Sequence, residues 1–316
     1  MPVATRSQSR LSIGLPVHNG ENHLAESIES LLAQTFEDFE LILSDNASTD
    51  STPDICQDFA HRDKRIRYFR QRFNIGASRN FNWVVHRARA PFFKWAAHDD
   101  IYEPTFFERC MDVLQHEPKV ILAHSMVDLI DTSGAKLCFD SAAHRYIDFA
   151  GRALPESEPL NIGESDHPVK RFDEVLQRVN WCFAIFGIIR SHILRQTSLQ
   201  ESYFGCDKVL LAQLALLGPF RQVRETLFHY RFHSRTSRLL SWRERQRFVD
   251  PNVSVLIPAF HTFKGYLQAP RVTASPPLHQ IRCAGSVMRM FLRPGLASRI
   301  FRPGPHYYLG VDRLPH

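Results

Sequence analysis

Leu11, Ile13, Leu15 and Val17 alternate with small residues, the period-two pattern of a strand with one face in a core. Leu24, Ile28, Leu31 and Leu32 then recur at helical spacing. The couplet repeats. "ELILSD" (40–45) predicts a second strand ending on Asp45, and Ile55 and Phe59 mark the helix after it. "IRYF" (66–69) predicts a third strand, followed by a helix over roughly 77–88. "PFFKWAA" (91–97) predicts a fourth, running to the pair Asp99–Asp100, and Phe106, Phe107, Cys110, Met111 and Leu114 stripe the next helix. Repeated strand–helix units imply an α/β fold, with a mostly parallel sheet flanked by helices.

Beyond residue 125 the pattern changes. Residues 140–170 are rich in Pro, Ser, Gly, His and acids, which predicts a long loop or lid. "WCFAIFGII" (Trp181 to Ile189) is too short to span a bilayer and predicts a buried strand, with a short helix near 191–197. "GCDKVLLAQLALLGPF" (205–220) predicts an apolar helix with Asp207 in its first turn, and "TLFHYRFHSRTS" (226–237) a strand and a polar loop. In "QIRCAGSVMRMFLRP" (280–294), Ile281, Ala284, Val287, Met288 and Phe291 share one helical face and Arg282, Arg289 and Arg293 another, with a stop at Pro294-Gly295. Such a helix can dock on the protein or lie on an anionic membrane, and docking is the simpler expectation.

Charge divides the chain where the pattern does. Residues 241–316 hold 11 Lys+Arg against 3 Asp+Glu, whereas residues 1–240 hold 28 against 30. The expected organisation is therefore a near-neutral domain over 1–240 and a basic extension over 241–316. The basic tail lacks interleaved aromatics, so nucleic acid is not an expected partner. Six cysteines without paired spacing suit a reducing compartment, and the polar start "MPVATRSQSR" has no signal-peptide pattern. Both point to the cytoplasm, with peripheral contact on the inner membrane face as an option for the tail.

In open α/β sheets ligands bind beyond the carboxyl ends of the strands. Here those ends carry "HNGE" (18–21), "SDNASTD" (44–50), "NIGASRN" (74–80) and "HDD" (98–100). No P-loop, dinucleotide fingerprint or nucleophile elbow is present. A rim of carboxylates without a glycine cradle suggests that a divalent cation, Mg²⁺ or Mn²⁺, manages any phosphates. Each residue also has a plainer reading: Asp45 as a turn residue, Arg79 as a surface charge, Asp207 as a first-turn charge. His229 and His233 lack a third ligand for zinc, and the sequons at Asn46 and Asn252 carry no weight. Trp83 and Trp95 suit a core. Trp181, following the lid, is the better sugar-stacking candidate.

The ordered motifs over residues 11–240 resemble those of family 2 glycosyltransferases of the GT-A fold. "LPVHNGEN" is similar to that family's P-x-Y-N-x-E stretch, "SDNASTD" to its D-G-S-T-D stretch, "NIGASRN" to its Asn/Arg region and "HDDIYEP" to its D-x-D site. The resemblance implies an inverting, metal-dependent hexosyltransferase-like enzyme of cell-surface polysaccharide or glycolipid synthesis. It would use a nucleotide-diphospho-sugar donor and a saccharide or lipid-linked acceptor. It further implies donor binding by Pro16, Asn19, Glu21, Asp45, Asn74, Arg79 and Asp99, with Asp45 on the base and Arg79 near base and diphosphate. Asp100 becomes the candidate metal ligand, with Asp99 on the ribose or a metal-bound water and a candidate for the metal as well. His233 lies where some relatives supply a His near the metal, its plainer reading being an ordinary half-buried histidine. Asp207 matches the general base. The chain departs from the pattern at His18, where Tyr is usual, at Asn46-Ala47, and at Ala97, where many members carry the first Asp of D-x-D. A sugar nucleotidyltransferase would need a Gly- and Arg-rich loop after the first strand, which "PVHNGEN" lacks. A non-catalytic nucleotide- or membrane-binding scaffold is the remaining alternative.

Overall fold

The computed structural model describes residues 9–234, 236–252 and 258–292. The opening residues 1–8, Arg293 and Pro294-Gly295 lie outside them. In chain order the first elements are β1 (Leu11–Val17), α1 (Leu24–Leu32), β2 (Phe39–Asp45), α2 (Thr52–Arg62), β3 (Ile66–Arg70) and α3 (Ala77–Arg87). Then come β4 (Phe92–Trp95), β5 (Ile101–Tyr102), α4 (Phe106–His116) and β6 (Leu122–Ile130). Three short strands, β7 (Cys138–Asp140), β8 (Arg145–Ile147) and β9 (Ala153–Glu156), precede α5 (Pro168–Arg178). The chain continues through β10 (Ile188–Arg190), α6 (Ser191–Leu194), α7 (Cys206–Leu217) and β11 (Phe220–Arg231). It ends in α8 (Trp242–Val249), α9 (Pro258–Val272) and α10 (Pro277–Phe291).

The main sheet has the order β3-β2-β1-β4-β10-β6-β11-β5. The neighbours β1–β2, β1–β4, β2–β3 and β6–β11 pair in parallel, while β10 and β5 pair antiparallel to their neighbours. The alternation in β1 explains the layering. Leu11, Ile13, Leu15 and Val17 enter a core with α1, α2 and α4, while the small residues between them face α3. A Cβ at Gly14 would come within 2.5 Å of Val84 Cγ2, so its lack of a side chain lets α3 pack close. On the same side Ile42, Phe93, Trp95 and Leu122 join a second core with α3, α5 and α7.

The segment Trp181 to Ile189 is not one strand. A 3-10 turn occupies Phe183–Phe186, and only Ile188–Arg190 pairs in the sheet. The apolar run reflects burial on all sides, which a turn satisfies as well as a strand. Gly187 is needed there: a Cβ would meet Ala123 O at 2.4 Å. Lys94 is fully buried beside this turn, donating to the carbonyls of Phe186 and Trp95 and lying 3.8 Å from the Tyr102 ring centroid. The stretch expected as a loop or lid holds a separate three-stranded antiparallel sheet, β7-β8-β9, and the start of α5.

Helix α10 corrects part of the face read from sequence: Val287 and Phe291 pack inward as expected. Cys283, Ser286 and Val287 are its buried side, packed on α5 and α9, whereas Ile281 and Met288 face out. Small polar residues were not counted as core, yet close helix packing selects small side chains regardless of polarity.

Candidate active site

The carboxyl ends of β1, β2 and β4 open onto a cavity of about 1110 Å³. Its walls include Pro16, Asn19, Asn46, Asn74, Asp99, Asp207, His233 and Trp181. Two loops form one floor because each satisfies the other's backbone. Asn19, held at φ +52°, donates its N–H to Ser48 Oγ (2.9 Å) and accepts from Thr49 N at Oδ1 (2.9 Å). Gly20 N donates to Thr52 Oγ1 at 2.9 Å, and Glu21 Oε2 accepts from Ser51 N at 3.0 Å. Glu21 thus ties the loops together and is not among the cavity's lining residues.

Asp45 is fully buried behind this floor. Its carboxylate accepts from Ser48 N (2.8 Å) and Tyr68 OH (3.1 Å) and lies 3.3 Å from Arg70 Nε, and it does not line the cavity. The neighbouring Asn46 does, with its amide donating to Asn74 Oδ1 at 2.9 Å and accepting from Ile75 N at 2.8 Å. Asn74 Nδ2 reaches His18 Nε2 at 3.2 Å. Arg79 is likewise outside the lining: its Nε pairs at 3.1 Å with the buried Asp250, on the turn after α8. Asp250 also accepts from Ser202 Oγ at 2.9 Å and from Asn252 N at 3.0 Å, and its buried charge calls for a cation, which α3 supplies.

The two adjacent aspartates part company. Asp99 is on the cavity with its side chain 19 % exposed, and its Oδ2 lies 3.0 Å from His233 Nε2. Burial pushes its carboxyl up, but nearby His98 and the hydrogen bond with His233 outweigh that and hold it below the usual carboxylate value. Asp100 turns into the protein. It is fully buried, accepts from Arg231 N at 3.0 Å through Oδ1, leaves Oδ2 without a hydrogen bond, and does not line the cavity. Burial first and the Asp99 charge second push its carboxyl well above the ordinary value. Of the pair only Asp99 faces the cavity, because the peptide geometry after β4 aims Asp100, the expected metal ligand, inward.

Arg231, at the end of β11, fixes that geometry. Its Nε donates to Asp99 O (2.8 Å), Nη1 to Asp131 O (2.9 Å) and Thr132 O (3.1 Å), and Nη2 to Glu26 Oε2 (2.6 Å). Arg231→Met should lower unfolding stability by about 3 kcal/mol, since a fully buried side chain that ties Asp99 O, Asp131 O, Thr132 O and the Glu26 carboxylate together is lost. Urea denaturation checks this, and a loss under about 1 kcal/mol would show that the side chain is dispensable. Sequence reading passed over Arg231, along with His23 and His98. The spacing "RFH" puts Arg231 and His233 on one strand end, which was the available signal.

Asp207 sits in the first turn of α7, behind Gly205 at φ +93°, with Oδ1 accepting from Lys208 N at 2.8 Å. The approach to α7 is pinned to α3, where Asn82 and Gln200 exchange hydrogen bonds at 2.8 and 2.9 Å and Ser78 Oγ donates to Glu201 O. Trp181 lies against Phe183, ring centroids 5.3 Å apart, and its indole N–H donates to Glu156 O in β9 at 3.2 Å. Asp99, His233, Asp207 and Trp181 thus share one cavity, and Asp45, Asp100, Arg79 and Glu21 stand behind its walls.

Among the described residues, no three His, Cys, Asp or Glu side chains converge on a point that could hold a metal ion. Two donors do meet at Asp99 and His233. Such a pair suits a divalent ion that takes its remaining ligands from phosphate oxygens and water, and the imidazole nitrogen suits Mn²⁺ better than Mg²⁺.

Residues 12–148 match the family described as Glycosyl transferase family 2. An uncharacterized glycosyltransferase of Rickettsia bellii is 33% identical over 297 residues, covering 82% of this chain and 43% of that protein. Glycosyltransferase GlyG of Streptococcus pneumoniae is 27% identical over 237 residues, covering 73% and 75%. The chain spans less than half the length of the rickettsial relatives it matches. In three dimensions, Staphylococcus aureus TarS 1–349 in complex with UDP-GlcNAc aligns with TM-score 0.57 at 14% identity, over 89% of this chain and 72% of that one. Mannosyltransferase PcManGT of Pyrobaculum calidifontis, in complex with GDP-Man and Mn²⁺, aligns with TM-score 0.55 at 13% identity, over 90% and 75%. At those identities the likeness speaks for the fold, which is GT-A as expected. Together with the ordered motifs on one cavity, these matches support a family 2 glycosyltransferase.

Proposed function

We propose that this chain transfers a sugar, with inversion, from a nucleotide-diphospho-sugar to an acceptor hydroxyl in cell-surface polysaccharide or glycolipid synthesis. The observation that carries the reading is the meeting of Asp99, His233 and Asp207 on one cavity at the strand ends. Asp99 and His233 would hold a divalent ion, which when bound supplies positive charge against the donor's diphosphate. Asn46, Asn74 and the backbone around Asn19 line the same end and offer hydrogen bonds to the nucleotide. Asp207 acts as general base, taking the proton of the acceptor hydroxyl as its oxygen attacks the anomeric carbon opposite the leaving diphosphate. Trp181 offers an apolar ring face to the acceptor or donor sugar. Relatives of the fold carry UDP-GlcNAc and GDP-Man, which makes donors of either base the ones to try. The described part of 241–316 is the three helices α8, α9 and α10, and we assign them the role of an accessory layer on the 1–240 catalytic domain.

With two protein ligands among the described residues, ion and nucleotide should bind as a unit. Calorimetry with UDP and GDP is expected to give at least about tenfold tighter binding of one of them in Mn²⁺ than in EDTA. Equal affinity in both buffers for both nucleotides would defeat the metal-dependent reading. Absence of any nucleotide binding would favour a scaffold.

A further inference from the structure

Helix α10 shows solvent a stripe that does not belong there. Leu278 (56 % exposed), Ile281 (70 %), Met288 (46 %) and Leu292 (75 %) follow one another at three-, seven- and four-residue steps along the helix and just past its end. The opposite side, Cys283, Ser286 and Val287, already holds the helix on α5 and α9, so the outer stripe contributes nothing to docking. A contiguous apolar stripe on a well-packed helix marks an interaction surface.

Charge says what it meets. Arg282 and Arg289 border the stripe on the same helix, and residues 251–292 contain Lys264, Arg271, Arg282 and Arg289 but no Asp or Glu. Along one edge Lys170 at the start of α5, His279, Arg282 and Arg289 line a depression of about 360 Å³, with Asp173, 3.5 Å from Arg289, as its acid. A second copy of the same face would bring like charges together. We propose that the outer face of α10 lies on an anionic lipid surface, its apolar stripe among acyl chains and its arginines on phosphate headgroups. The inner side of the same helix reaches the cavity, where Met290 and Phe291 form part of the wall. The site would then open beside the membrane, which commits the acceptor to a lipid-borne glycan. That last step rests on the glycosyltransferase reading; the docking itself does not.

The test is co-sedimentation of the full chain with vesicles of phosphatidylcholine alone and with phosphatidylglycerol added. Pelleting should require the anionic lipid and fall as salt is raised. Each arginine near such a surface is worth about fivefold in partitioning, so Arg282→Glu should weaken pelleting by more than that. Ile281→Asp with Leu292→Asp should weaken it by at least about tenfold, with thermal unfolding unchanged because both side chains are exposed. No pelleting with anionic vesicles, equal pelleting with neutral ones, or undiminished pelleting of the double variant would overturn the proposal. So would a dimer in solution that Ile281→Asp dissolves. No donor turnover enters these measurements, so a failed sugar-transfer assay leaves them readable. For the acceptor, the double variant should keep transfer to a water-soluble acceptor and lose it to the same glycan on a lipid in vesicles; equal loss on both would refute the membrane-side placement.

Discussion

Asp207→Asn is expected to lower sugar transfer about a thousandfold while donor-nucleotide affinity stays within about twofold. Asparagine keeps the shape of the side chain and its hydrogen bond from Lys208 N, but it cannot take a proton. The position is well held. Val209, Leu210, Leu211 and Ala212 are almost wholly buried immediately after it, so α7 cannot swing the group away from the cavity. The helix start also suits a carboxylate, because its free N–H groups favour negative charge there. Steady-state release of nucleotide gives the turnover, and calorimetry gives the affinity. Turnover within threefold of the wild type would remove Asp207 from the chemistry.

The second large effect is a contrast between neighbours. Asp99→Asn should cut Mn²⁺-supported transfer on the order of a hundredfold to a thousandfold, and His233→Ala should do the same. Asp100→Asn should change transfer by less than about threefold, because an asparagine oxygen can still accept from Arg231 N and no Asp100 atom lines the cavity. Sequence resemblance puts the metal on Asp100, and Asp99 on the ribose or a metal-bound water, so this pair of variants separates that reading from the structural one. If Asp100→Asn proved the more damaging, the chain after β4 would have to be repositioned and the site with it.

The first half of the fold is legible in the sequence because each early strand has one face in a two-layer core and each helix one apolar stripe. Leu11 to Val17 and Phe106 to Leu114 obey those periods without exception. Legibility fails where burial has no direction. Trp181 to Ile189 is enclosed on every side, so periodicity could not tell a turn from a strand. It fails again where the elements are three or four residues long, too short for a period to show, whether exposed as in β7 or partly buried as in β8 and β9. For the site, Asp99, Asn74 and Asn19 stand on the cavity where strand-end reasoning expected them, and so does Asp207, which only the family resemblance had pointed to. Arg79 and Asp45 do not, because their partners Asp250 and Arg70 are long-range or exposed groups whose pairing no local pattern announces. Whether a strand-end charge faces a ligand or a neighbour is decided by tertiary contacts.

The way Arg231 grips the loop of Asp99 bears on how such enzymes can be inherited. The segment that matches the family ends at residue 148, yet the strut under Asp99, that aspartate's histidine companion and Asp207, the proposed proton acceptor, all come from residues 207–233. The front half is therefore no portable cassette. A gene fusion that grafted it onto a foreign back half would inherit the strand-end pocket with a slack hinge, and could regain the position of Asp99 only by evolving its own brace in the place of this one.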